Sequence, residues 1–323
     1  MERELNYIGS KRKLAPLIYK TIHDIIPAGT FCDLFAGTGA VSEVFSKTYS
    51  LIVNDWEKYS YYINYQKFGT YVPDANKLSE QLEYLNTLDA IPGFIAEHYS
   101  PIGSERMYFT EENASKIDTI RFEISEIATS KEEEIYLIAL LLEAADKVAN
   151  VASVYGAYLK KFKASAEKDL IIKDLNKFSS SGVIYQQDAN ELDVSGDVVY
   201  LDPPYNTRHY GSNYHMLNTI VNYNYFEPRG KTGLPEYKKS DYCSKVKIKL
   251  AFESLIKSLK FKDIFISYNN EGILSQLDFE TICGKYGKFN TLVLDSQYQR
   301  FKADNKREQT STHTVEYLYH ISK

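Results

Sequence analysis

Apolar and polar positions divide the chain into stretches with two rhythms. Near both ends, short apolar runs stop abruptly at an acid or a turn. A strand beginning at Thr30 leads into a small-residue loop, then a helix to about Tyr49. Leu51-Ile52-Val53-Asn54-Asp55-Trp56 and Val183-Ile184-Tyr185-Gln186-Gln187-Asp188 repeat the strand pattern. So do Val198-Val199-Tyr200-Leu201-Asp202 and Asp263-Ile264-Phe265-Ile266-Ser267-Tyr268. Continuous apolar runs of this length are the mark of strands buried on both faces. Residues 314–321 alternate and predict a final edge strand. Helices are predicted over 14–26 and 252–259, and 279–283 begins a further helical or strand segment.

Between these stretches, residues 74–181 lose the strand rhythm. Residues 78–88 and 112–127 have helical spacing, and 131–159 reads as a longer buried helix with Gly156 as its candidate break. The expectation is an α/β sheet domain formed by residues 1–73 and 182–323, interrupted by a helical insertion over 74–181.

Composition narrows the setting. The chain has 323 residues, 44% hydrophobic and 25% charged, as in ordinary soluble proteins. It shows no run long enough to span a membrane and no leader pattern, so a cytoplasmic location is expected. Cys32, Cys243 and Cys283 have no paired spacing, which points to neither a disulfide framework nor a metal site. The net charge is −5, so any nucleic-acid surface must be a local basic patch. The 28 tyrosines suit stacking surfaces.

Two stretches carry candidate chemistry. In Asp202-Pro203-Pro204-Tyr205 the prolines cannot continue a ladder, so the acid stands at the carboxyl end of a strand, where open α/β sheets bind ligands. A strand-terminating turn with a packed tyrosine accounts for these four residues equally well when they are taken alone. In Asp33-Leu34-Phe35-Ala36-Gly37-Thr38-Gly39, the glycines let a ligand approach the backbone. This is not the spaced dinucleotide fingerprint, and no Gly-Lys-Ser/Thr follows. Asp33 would repel phosphate and attract an ammonium group. Asp55 ends the second strand, where ribose hydroxyls are taken in nucleotide-binding folds. Further on, Arg208, Lys231, Lys238, Lys239, Arg300 and Lys302 interleave with aromatic residues, the pattern that phosphate contact and base stacking require.

Together these motifs resemble the D12 class of DNA adenine methyltransferases, the alpha group that includes Dam methylases and FokI-like type II modification enzymes. The order agrees: Asn6-Tyr7-Ile8-Gly9-Ser10-Lys11 near the start, the cofactor loop, a variable block, then Asp202-Pro203-Pro204-Tyr205. The resemblance implies a Rossmann-like methyltransferase mixed sheet with a helical insertion domain, the insertion being a candidate target-recognition region. It implies S-adenosylmethionine as cofactor, with Tyr7 and Lys11 at its methionine end. Asp33, Phe35, Gly37 and Gly39 would form its cradle, Asp55 would take the ribose, and Trp56 and Asp188 the adenine. Asp202, Pro203, Pro204 and Tyr205 would hold a base extruded from double-stranded DNA. Residues 206–250 would be a DNA-contacting region, using Arg208, Asn213, His215 and the lysines named above. A cognate restriction endonuclease is an implied partner. Ser10 departs from the glycine that many relatives carry before the lysine.

Three rivals stay open. Amino-methylation of cytosine uses the same physics, although its enzymes more often have serine in place of Asp202. RNA or protein-amide methylation uses a related motif, and Asp202 argues against the amide. A non-catalytic DNA-binding subunit would have lost parts of the cradle, whereas both glycines and the acids are present. Methylation of a ring carbon needs a cysteine nucleophile, and none of the three cysteines follows a proline.

Overall fold

The structure is a computed structural model that describes residues 5, 7, 9–174, 181–298 and 314–323. In chain order its helices and strands are α1 (Ala15–His23), β1 (Thr30–Asp33), α2 (Ala40–Phe45), β2 (Ser50–Asn54), α3 (Lys58–Phe68), α4 (Ala75–Thr87), α5 (Phe94–Tyr99), α6 (Glu111–Ile127) and α7 (Lys131–Val148). Then come β3 (Val183–Tyr185), β4 (Ser195–Leu201), α8 (Tyr210–Asn213), α9 (His215–Asn222), α10 (Ile248–Ser258), β5 (Lys260–Asn269), α11 (Gln276–Cys283), β6 (Lys288–Tyr298) and β7 (Thr314–Ser322). Single-turn 3₁₀ segments at Lys11–Lys13 and Asp241–Cys243 precede α1 and α10. Among the described residues no helix is long and apolar enough to cross a membrane.

Contacts divide the chain into two compact units. One is Ser10–Trp56, Ser181–His209 and Lys239–Lys323; the other is Met1–Gly9, Glu57–Ser180 and Tyr210–Lys238. The helical unit thus takes in Glu57 onward, ahead of the boundary expected at residue 74, together with Met1–Gly9 and, from beyond residue 181, Tyr210–Lys238.

The first unit is a seven-stranded sheet in the order β3-β2-β1-β4-β5-β7-β6. The first five strands are parallel, while β7 and β6 are antiparallel to their neighbours. β4 lies at the centre, and Val198, Val199, Tyr200 and Leu201 are all buried, as a two-faced strand requires. On one face, Cys32, Val199, Leu201, Ile264 and Ile266 pack with Phe252, Leu255 and Ile256 of α10 and Phe279 of α11. On the other, Phe31 stacks at 3.7 Å on Phe45 of α2, with Tyr200 at 6.3 Å. The strand order reverses between β1 and β4, the switch point at which such sheets open a crevice beyond their carboxyl ends.

Residues 314–321 were expected as an edge strand; instead β7 is interior, between β5 and β6. The edge belongs to β6, whose mixed sequence gives little strand signal. The antiparallel pairing of β7 is read from its register, with Asn269 opposite Glu316 and Asp263 opposite Ser322.

The helical unit packs around α7, where Ile135 to Leu142 are buried without a break. Its helices begin on side-chain caps: Asp74, Thr110 and Ser130 accept from the amides of Lys77, Asn113 and Glu133, satisfying donors that a helix start leaves open. α7 ends at Val148, short of the predicted residue 159. Buried Asn150 takes over there: its amide group donates to the Met107 and Leu159 carbonyls and accepts from Lys163 N–H. These side-chain bonds replace the helical ladder.

Candidate active site

The cofactor loop is built by backbone bonds between strand ends. Leu34 N–H donates to Tyr200 O at 3.0 Å, and Ala36 N–H to Asn54 O at 3.0 Å. The chain then turns through Gly37 (φ 54°) and Gly39 (φ 77°), left-handed conformations that only glycine adopts freely. Gly39 caps α2, and the Gly37 amide donates to the Asp55 carboxylate at 2.8 Å. Asp33, at the end of β1, is buried and accepts from Ser42 Oγ at 2.7 Å. Burial pushes its carboxyl up to about 7; the Ser42 hydrogen bond opposes the rise, and the charges of Asp202 and Asp55 add to it. A carboxyl in this state is receptive to a cation, because an ammonium beside it would restore its charge. An acid flanked by a side-chain-free loop fits the amino-acid end of S-adenosylmethionine.

Asn54, which the sequence reading passed over, organises the neighbouring strand ends. Its buried amide donates to Leu34 O and Gln187 O and accepts from Gln187 N–H. Beyond it, Trp56 is half-buried, and its carbonyl accepts from Gln186. Asp188 is also half-buried and accepts from the Asn190 amide at 3.1 Å. Phe35 meets Tyr242 edge-on at 5.2 Å.

Asp202 follows β4 directly and stands on the strand next to Asp33, whose register partner is Tyr200. Its Oδ1 forms an ion pair with the ammonium of Lys11 at 3.1 Å. Burial raises the Asp202 carboxyl to about 6; Lys11 pulls it down and Glu316 pushes it up. Lys11 itself is only 5% exposed. Burial disfavours its charge, but Asp202, Tyr205 and Glu316 outweigh burial and hold it well above the usual lysine range. Tyr205 lies under Lys11 at 5.3 Å and meets Tyr268 edge-on at 5.9 Å. Its carbonyl accepts from Ile273 N–H at 3.0 Å, which ties the motif to the turn after β5. Gly272 in that turn lies against the Tyr268 ring, where a Cβ would come within 2.1 Å of a ring carbon.

Two acids, a glycine loop and an Asp-Pro-Pro-Tyr turn therefore meet at one switch point. A family model for D12 class N6 adenine-specific DNA methyltransferases matches residues 7–282. The chain belongs to this class. It is 45% identical, over 99% of both chains, to the type II methyltransferase M.NlaIII of Neisseria lactamica. It is 41% identical, over 93% of each chain, to M.CviAII of Paramecium bursaria Chlorella virus 1. To M.FokI of Planomicrobium okeanokoites it is 38% identical over 99% of its own length, spanning 53% of that larger protein. The chain is a site-specific DNA adenine methyltransferase whose methyl donor is S-adenosylmethionine. The cytosine and non-catalytic readings are not favoured.

The remaining site residues of this methyltransferase divide between its units. Arg208 and Lys239 are exposed in the sheet unit, and Lys231 and Lys238 are exposed in the helical unit. Asn213 is half-buried, its carbonyl accepting from Tyr155 N–H at 2.8 Å. Tyr7 stacks on Tyr214 at 4.8 Å and on Tyr210 at 5.5 Å within the helical unit. Arg300 and Lys302 lie outside the described residues. His215 corrects the expectation of a DNA contact. It is 0% exposed, with Nε2 3.1 Å from the Tyr155 carbonyl and 3.4 Å from Tyr108 Oη. Burial lowers its pKa to about 4, so it is a neutral core residue. It was placed on the surface because the polar run before it hides the amphipathic helix that it opens. Glu316 and Ser42 were missed for another reason: neither stands in a recognisable motif, and only the fold brings them to the acids they face.

Proposed function

We propose that Asp202 is the acceptor for a hydrogen of the adenine N6 amino group, with the Pro203 carbonyl as the second acceptor and Tyr205 stacking on the extruded base. The lone pair of an aromatic amine is delocalised into its ring, and two acceptors placed for its hydrogens let it localise toward an electrophile. S-adenosylmethionine supplies that electrophile as a methyl group on a sulfonium. Asp33 holds the cofactor's ammonium, Gly37 and Gly39 give room for its approach, Asp55 takes the ribose, and Trp56 and Asp188 the adenine. Lys11 and Tyr7 complete the methionine end. Arg208, Lys231, Lys238, Lys239 and Asn213 contact the DNA, and the helical unit contributes to target recognition. By likeness to its type II relatives, the enzyme acts as the modification partner of a restriction endonuclease.

The observation that carries this reading is the placement of a half-buried Asp202 one strand from the Asp33 loop, at the switch point of the sheet. Methylome sequencing of a methylation-free host expressing the chain should report N6-methyladenine at one sequence. Asp202→Ala should lower single-turnover methylation by roughly 10²–10³-fold or more, with calorimetric affinity for S-adenosylmethionine retained. Near-normal turnover in Asp202→Ala would refute the role given to this carboxylate.

A further inference from the structure

Glu316 reaches the site from the far end of the chain. Because β7 runs antiparallel to β5, its first residues lie at the carboxyl end of the parallel strands, with Glu316 opposite Asn269. That position is clamped by Asn270, whose N–H donates to Val315 O at 3.2 Å and whose Oδ1 accepts from Val315 N–H at 3.0 Å. Glu316 is 7% exposed, and its carboxylate lies 3.5 Å from the Lys11 ammonium, which is also paired with Asp202. Beyond Lys11, neither Glu316 Oε2 nor Asp202 Oδ1 has a hydrogen-bond partner among the described residues. One buried ammonium therefore serves two carboxylates, Glu316 buried and Asp202 half-buried. The other ionisable groups around Lys11 and Asp202 are the Tyr200 and Tyr205 hydroxyls and, next to Asp202, Asp33.

We propose that Glu316 is a positioning residue for methyl transfer: it holds the Lys11 ammonium against Asp202 and sets the pH at which that carboxylate ionises. The proposal rests on the reading of Asp202 as the hydrogen acceptor. A single cation shared by two acids leaves one excess negative charge, and burial strengthens its effect. Burial is the main reason that the Asp202 carboxyl stands at about 6; Lys11 opposes the rise and Glu316 adds to it. A merely structural ion pair would fix Lys11 without this link to ionisation.

The test uses the full-length enzyme in two measurements, single-turnover methylation against pH and carboxyl-carbon NMR titration of the free protein. Glu316→Gln should move the acid limb of the rate profile, and the Asp202 resonance with it, to lower pH by about one unit. With Lys11 no longer held from both sides, the plateau rate should fall roughly tenfold, with the calorimetric affinity for S-adenosylmethionine unchanged. Glu316→Asp, which keeps the charge but draws it back, should give an intermediate shift and carries the test if the glutamine variant does not fold. Rate profiles and resonances matching the wild type in both variants would overturn the proposal. Asp202→Asn separates the two levels. Near-normal single-turnover methylation in this variant would overturn the reading of Asp202, whereas survival of the resonance titrating near 6 would overturn the inference alone.

Discussion

Two regions of the molecule bury polar side chains, and they treat them differently. In the helical unit, Asp118 accepts from the amides of Gly93, Ile95 and Ala96 and from the Tyr223 hydroxyl. Asn113 donates to the carbonyls of Ala166 and Lys168 and accepts from Leu170 N–H. Arg121 donates to the carbonyls of Ile220 and Val221. At the carboxyl end of the sheet, by contrast, Asp202 Oδ1 and Glu316 Oε2 have only the ammonium of Lys11 between them, at 3.1 and 3.5 Å. The helical unit turns these polar groups onto irregular backbone, while at the sheet end two carboxylates are left to share one ammonium, in the place where chemistry is done.

The contrast can be broken by substitution. The largest effect is expected at Gly39→Val. The left-handed φ resists a β-branched residue, and its side chain would enter the cradle. Affinity for S-adenosylmethionine should fall at least ~100-fold by calorimetry, a loss of roughly 2.7 kcal/mol or more. Unchanged affinity in a folded variant would remove the loop from the cofactor site. His215→Ala should instead destabilise the fold, by about 2–4 kcal/mol in urea titration. The salt dependence of DNA binding should not change, and a lowered slope would return His215 to the DNA surface.

Asp33→Asn sharpens the same comparison in a quantity other than activity. An acid whose carboxyl is raised from 3.8 to about 7 on folding weakens the fold progressively as pH climbs between those values, and the full cost is present above the upper one. Asp33→Asn should therefore stabilise the free protein by on the order of 1–2 kcal/mol at pH 8 and by little near pH 4, while abolishing cofactor binding. Equal stability changes at both pH values would mean that Asp33 is not the strained group described. The smallest effect is expected at the exposed Lys238 and Lys239. If both meet phosphate, their double alanine variant should lower the slope of log affinity against log salt by about two units. An identical slope would make them solvated surface.

Much of the site could be read from the residues in order. The Asp33 loop and the Asp202 motif are local devices, in which glycine conformations and proline stops act within a few residues, so both stand where their sequences place them. β4, β5 and the helices at Ala75–Thr87 and Glu111–Ile127 were legible for the same reason, since continuous apolar runs and helical spacing reflect the burial of adjacent residues. The end of α7 was not legible. Its apolar spacing weakens only gradually, and it is the capture of Asn150 by Met107, Leu159 and Lys163 that stops it.

The sequence by itself determined the strand-loop chemistry and the class of reaction, because both depend on short runs of residues whose conformations are set locally. The tertiary structure decided what non-local pairing alone controls. It made β7 an interior strand where alternation suggested an edge, because whether a half-apolar strand gains a second neighbour depends on β6. It buried His215 among Tyr108 and Tyr155. And it carried Glu316 through an antiparallel pairing to the ammonium of Lys11, from the opposite end of the chain. Ionisation at Asp202 follows from that last placement, because the charge on a buried acid is set by which neighbours lie within a few ångströms, however far apart they stand in sequence.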